Sequence, residues 1–195
     1  PGIYPDGTAF AVGGVPVLKT DIDAYLPVVK LIDSHLTLPG LRRRVIANIT
    51  LPIAAATSLD PPAREAAFQH AQAALAAVRE TGKLPSDAPD AKYLTGSWKA
   101  VGLVPFQAAI DMEPGTYSEV MEAPGAWTIF HYIASNVELG EPFSARTEIT
   151  IQRYDFPYLM EEGGHELIQS AIDNLPIEIV DEEWEAVIPP VLLYK

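Results

Sequence analysis

The side chains equipped for chemistry are few and scattered. Four histidines, His35, His70, His131 and His165, stand singly along the 195 residues, and there is no cysteine. A zinc site needs several ligands to converge, and with no thiolate on offer each histidine reads as a surface or hydrogen-bonded side chain. No Gly-x-Ser-x-Gly, His-Glu-x-x-His or phosphate-loop pattern occurs, so hydrolytic and nucleotide chemistry have no support. Asp181-Glu182-Glu183-Trp184-Glu185 is a candidate for cation binding, but consecutive carboxylates repel one another and no calcium-type turn surrounds them. That run reads as a solubilising surface, and the sequence implies neither a metal nor a cofactor.

Composition narrows the partners. At 48% hydrophobic the chain has enough apolar side chains for a sizeable core, as one domain or one domain with a small appendage. A net charge of −13 with 13 basic residues argues against nucleic acid and against an anionic membrane surface, since both need Lys or Arg. The charge is concentrated: residues 136–195 hold thirteen acidic and three basic side chains. No apolar run reaches the 18 residues of a membrane span. The start at Pro1 without Met fits a removed secretory signal or a trimmed expression product, and zero Cys suits an oxidising periplasm. An exported protein is the expectation.

The elements that must position any site follow from periodicity and turn chemistry. Phe10–Leu18 reads as two short strands about Gly13-Gly14. A helix from about Asp21 carries Ile22, Leu26, Val29 and Ile32, with Thr20 as its N-cap, Asp23 completing a capping box, and Pro27 bending it or sitting in an early turn. A second helix after Leu38-Pro39-Gly40 presents Leu41, Val45, Ile46 and Ile49, turns Arg42–Arg44 to solvent, and is kinked or ended by Pro52. Asp60-Pro61 opens a helix over Ala63–Glu80 with Phe68, Ala71, Leu75 and Val78 on one stripe and Gly82 as C-cap. Lys83–Ala91 is a Pro/Asp loop. Strands are expected at Arg146–Tyr154 and Ile177–Val180, with a helix over His165–Asn174 between them. The tail from Trp184 to Lys195 is apolar enough either to pack on the N-terminal helices or to dock on a partner.

Between Lys92 and Ile133 the chain presents, in order, Gly96-Ser97-Trp98, Leu103, Phe106, Met112, Gly115, Ser118, Met121 and Ala126-Trp127-Thr128-Ile129-Phe130. This resembles the second half of a parvulin-type peptidyl-prolyl isomerase domain, with one residue fewer between Leu103 and Phe106. Val12-Gly-Gly-Val-Pro-Val-Leu-Lys-Thr-Asp21 resembles the opening of SurA-type periplasmic chaperones. The resemblance implies an α+β fold: a SurA-like N-terminal hairpin and helices over 1–58, a trimmed parvulin-like antiparallel sheet with flanking helices over 59–135, and a C-terminal acidic strand-helix-strand segment and tail over 136–195 that packs on the N-terminal part.

It also implies a site. Parvulins resemble a shallow apolar bowl with one His from the first strand and another from the closing strand. Here the closing-strand position is Thr128, and no His-bearing strand precedes the helix near Ala63. Twisting an X-Pro bond over its barrier of ~18–20 kcal/mol needs no nucleophile or cofactor, only a pocket that grips the twisted amide better than the planar one. Leu103, Phe106, Met112 and Trp127 are the implied pocket, with Trp98 as a wall and Thr128 in the polar centre; equally, the aromatic and aliphatic members are core residues of a sheet. His131, three residues after Thr128, points to the other sheet face and is no substitute. The expected function is an exported parvulin-fold protein binding extended or proline-containing polypeptide, with isomerase activity weak or lost. The alternatives are a structural subunit recruited to a larger membrane or envelope complex, and an active prolyl isomerase.

Overall fold

Gly13 and Gly14 both adopt positive φ (+55° and +84°), which lets a two-residue turn join β1 (Thr8–Val12) to β2 (Val15–Leu18). In this computed structural model, which describes residues 2–138, 140–159 and 161–189, helices and antiparallel strands form two units, one from residues 1–61 with 159–195 and the other from residues 62–158. The fold is α+β.

In the first unit β1 is buried at every residue and is flanked by β2 and by β7 (Ile177–Ile179), both antiparallel. Lys19, just after β2, pairs with Asp181, just after β7, and its hydrogen bond holds the Asp181 carboxyl below the usual carboxylate range. The first helical stretch breaks into α1 (Lys19–Asp23) and α2 (Leu26–Ile32), with Pro27 in the first turn of α2, where its missing N–H costs nothing. The capping box expected at Thr20 does not form. α1 starts at Lys19, two residues earlier than expected, with no side-chain cap, and the Asp23 carboxylate instead accepts two hydrogen bonds from Arg42, at 2.8 and 2.7 Å.

α3 (Leu38–Val45) runs into a π-helical turn (Ile46–Thr50) and then α4 (Leu51–Leu59). Pro52 therefore does not end the helix. It removes one N–H from the ladder, and the chain absorbs the loss in a wider turn whose closing Leu51 N–H reaches Ile46, five residues back. The arginines are not a solvated face either. Arg42 holds Asp23 and lies 4.3 Å from the Trp184 ring centroid, Arg43 donates to the Ala186 carbonyl at 2.8 Å, and Arg44 meets Asp33 at 2.6 Å. Three consecutive helical residues point three ways, and each direction here ends on an acceptor. Asp181 caps the 3-10 turn Glu182–Val187 by accepting from the Glu183 N–H, so the acidic run is partly a structural tie. α8 (Glu161–Asn174), in which Glu162 and Gly163 are non-helical, packs on α4. Trp184, Val187 and Ile188 are buried, so the start of the tail packs within this unit; its end, residues 190–195, lies outside the described residues.

The second unit is a four-stranded antiparallel sheet with α5 (Pro61–Thr81) against one face. α5 ends as expected at Gly82 (φ +74°), whose N–H reaches the Val78 carbonyl at 2.9 Å. Its buried stripe, Ala71, Ala74, Leu75 and Val78, meets Ile129, Tyr154 and Phe156. The strands are β3 (Lys92–Gly96), β4 (Met121–Ala123), β5 (Ala126–Ser135) and β6 (Ile149–Pro157), in the order β3-β6-β5-β4. Between β3 and β4 come the short α6 (Trp98–Val101) and α7 (Leu103–Ile110). Gly96 is required where the chain leaves β3, because a Cβ there would lie 2.7 Å from the Ala100 Cβ.

β6 begins three residues later than the alternation at Arg146–Tyr154 suggests, and it changes the domain organisation. The expected C-terminal segment, 136–195, is divided: β6 sits between β3 and β5 in the second unit, whereas α8 and β7 belong with the N-terminal residues. β6 pairs with β3 along one edge and β5 along the other, so its backbone groups are satisfied on both sides.

Candidate functional site

Side chains alternate along β5 and β6, so the register assigns each residue to a face. Trp127, Ile129, Tyr154 and Phe156 turn toward α5, and Thr128, Phe130, Tyr132, Ile151, Arg153 and Asp155 occupy the opposite face, with Thr128 directly across from Asp155. Phe130, Tyr132 and Ile151 are fully buried there.

A polar centre is built around that cross-strand pair. The Thr128 hydroxyl donates to the Asp155 carboxylate and lies 3.3 Å from the Tyr154 carbonyl. Asp155 also accepts from Arg153, two residues earlier on the same strand, at 3.1 and 2.9 Å, and pairs with Lys92 of β3 at 3.3 Å. Only 11% of the Asp155 side chain and 1% of Thr128 are exposed. A carboxylate so enclosed is tolerable because two cations and a hydroxyl replace its lost water. Chemically, the Thr128 hydroxyl is already committed, and Asp155 is screened by both cations.

The six residues of the expected pocket do not share one surface. Phe106 is fully buried in α7 and packs on Phe143, with ring centroids 5.6 Å apart. Leu103, at the start of α7, Met112, beyond its end, and Trp98, at the start of α6 with Lys99 over its ring, are half-buried. Trp127 belongs to the other side of the sheet from Thr128. Its indole lies 4.6 Å from the Phe68 ring, donates to the Arg64 carbonyl at 3.0 Å, and is covered by the Arg64 guanidinium at 4.7 Å. The reason is elementary: adjacent strand residues point oppositely, so Trp127 and Thr128 cannot line one bowl. His131 does lie on the face away from Thr128, stacked on Tyr117.

Arg64 is the centre of a second constellation. It grips Glu122 with two hydrogen bonds, at 2.6 and 2.7 Å, and Glu122 also accepts from the Tyr158 hydroxyl at 3.2 Å. The hydrogen bond to Glu122 raises the Arg64 pKa further, so its charge is permanent.

Sequence reasoning passed over Asp155, Arg153 and Lys92. The i, i+2 spacing of Arg153 and Asp155 marks them as one face of a strand, but only the pairing of β3, β6 and β5 brings Lys92 and Thr128 to them. Among the described residues no three His, Asp or Glu side chains converge as metal ligands, and no helix is long and apolar enough to cross a membrane. The chain matches no family model, no curated protein and no solved structure.

Proposed function

We propose that this chain is an exported, peptidyl-prolyl isomerase-like protein that binds extended or proline-containing polypeptide and has weak or no isomerase activity. The observation that carries the reading is the placement of β6 beside β5 with Asp155 opposite Thr128. The parvulin resemblance calls for a first strand and a closing strand that together furnish a polar centre. β6, arriving after the long helix instead of before it, stands in for that first strand. The histidine pair is replaced by a buried hydroxyl and a carboxylate that is already ion-paired. With the Thr128 hydroxyl and the Asp155 carboxylate already paired and Phe106 buried, this centre supports the weak or lost isomerase activity of the reading. Export is what the SurA-type resemblance implies.

The test is a titration of isotope-labelled protein with an Ala-Ala-Pro-Phe peptide, followed by exchange spectroscopy of its cis and trans signals. Binding without faster exchange is the expected result. Exchange accelerated at substoichiometric protein overturns the loss of activity, and no binding moves the reading to a structural subunit of a larger complex.

A further inference from the structure

On the α5 side of the second unit, beyond the buried stripe, the helix surface drops. Ala63, Ala66 and Ala67 are too small to reach the end of β6, and Pro89 of the 83–91 loop stands opposite them. The result is an open groove of about 390 Å³ lined by those alanines, His70, Pro89, Phe156 and Pro157, a volume in the range of small-ligand sites. Phe156, only 2% exposed, forms its floor, and the His70 ring meets it edge-on at 5.0 Å. No residue of Thr128's polar centre lines it.

The polar features of this groove are few and specific. His70 Nε2 is buried and makes no hydrogen bond; its nearest charged neighbour, an Asp87 carboxylate oxygen, is 3.5 Å away. Asp87, 74% exposed on the loop that carries Pro89 and 3.5 Å from His70, places negative charge beside the groove, and no Lys or Arg is among the residues that line it. An apolar floor accepts a compact ring. It penalises a backbone N–H brought in without a partner, and proline alone among residues has none. The Asp87 carboxylate beside the groove suits a basic side chain next along.

We propose that this groove binds a proline residue of an extended polypeptide, with its ring against Phe156 and the His70 ring and a flanking Lys or Arg beside Asp87. The assignment rests on the polypeptide-binding reading above and adds a site to it.

The test is a titration of the full isotope-labelled chain at low salt with acetyl-Ala-Ala-Pro-Lys-amide and acetyl-Ala-Ala-Pro-Glu-amide. Shifts are expected at residues 63–70, 87–90 and 156, with the Lys peptide bound about two- to fivefold more tightly, the worth of one exposed ion pair. Asp87→Asn should remove that preference and leave the Glu peptide unaffected. Ala66→Trp, at an exposed helix position, should abolish binding with the remaining spectrum intact, and Ala63→Phe is the second occluding variant should the first disturb folding. Equal affinity for the two peptides in the groove overturns the assigned ligand. Shifts confined to Leu103, Met112 and Thr128, with the Ala66→Trp variant still binding, overturn this site while leaving polypeptide binding intact. No binding of either peptide overturns both.

Discussion

Thr128 and Asp155 face each other across β5 and β6, and the hydroxyl of the first donates to the carboxylate of the second in a position 1% exposed at Thr128. Because Lys92 and Arg153 also hold that carboxylate, the pair works as a structural tie among β3, β6 and β5. Thr128→Val keeps the shape and removes one donor, so it should cost about 1–2 kcal/mol in urea unfolding. Asp155→Ala strands two cations and should cost more. The double variant should fall short of the sum, because both changes act on one network. Strict additivity would show that the pair is not coupled.

Phe106 is the wrong residue for probing peptide binding by truncation. Its ring is fully buried against Phe143, so Phe106→Ala should lose about 3–5 kcal/mol, and any accompanying loss of function would report unfolding. Leu103→Ala, at a half-buried position on the same helix, should cost about 1–2 kcal/mol. Thermal melts of the two variants separate these expectations directly.

Arg64 joins α5 to the β4–β5 hairpin through a two-pronged bond to Glu122 and by stacking on Trp127. Lysine matches neither the fork geometry nor the planar stacking. Arg64→Lys should therefore lose about 1–2 kcal/mol and weaken the near-ultraviolet dichroism from the ordered Trp127. A variant as stable as the parent would reduce the fork to a surface contact.

Burial, and next the neighbouring Tyr117 and Tyr93, push the Tyr154 phenol up to about 12 from an ordinary 10.0. The folded state thus favours the neutral phenol, and the stability this represents is fully present below pH 10. It is lost as pH rises from 10 toward 12, where the unfolded chain releases its proton first. Tyr154→Phe has no such proton, so its stability should fall less steeply across that window. Parallel unfolding curves for parent and variant between pH 10 and 12 would contradict the shift.

Much of the local structure was legible in the residues themselves. Gly13-Gly14 announces its turn because both positions need positive φ, α5 announces itself by a stripe recurring at helical period and a glycine stop, and Pro27 falls in a first turn where it is harmless. The errors came where a side chain had a choice of partner. Asp23 was free to cap its own helix and instead serves Arg42. Arg42–Arg44 look solvated until Asp23, Ala186 and Asp33 are brought beneath them. Pro52 reads as a stop until a π turn absorbs it.

By itself the sequence determined where the Gly13-Gly14 turn and the long helix α5 with its glycine stop lie, and that no cysteine chemistry is available; the turn and the helix depend on residues near one another in the chain. Tertiary structure alone decided that β6 inserts between β3 and β5, that Thr128 meets Asp155 and Lys92, that Trp127 turns to the opposite face, and that His70 borders a groove with Phe156 and Pro89. Strand order and register are settled by which distant apolar faces bury one another, and a shift of one residue exchanges every side chain between the faces. The site depends on that register, and no local spacing in the chain encodes it.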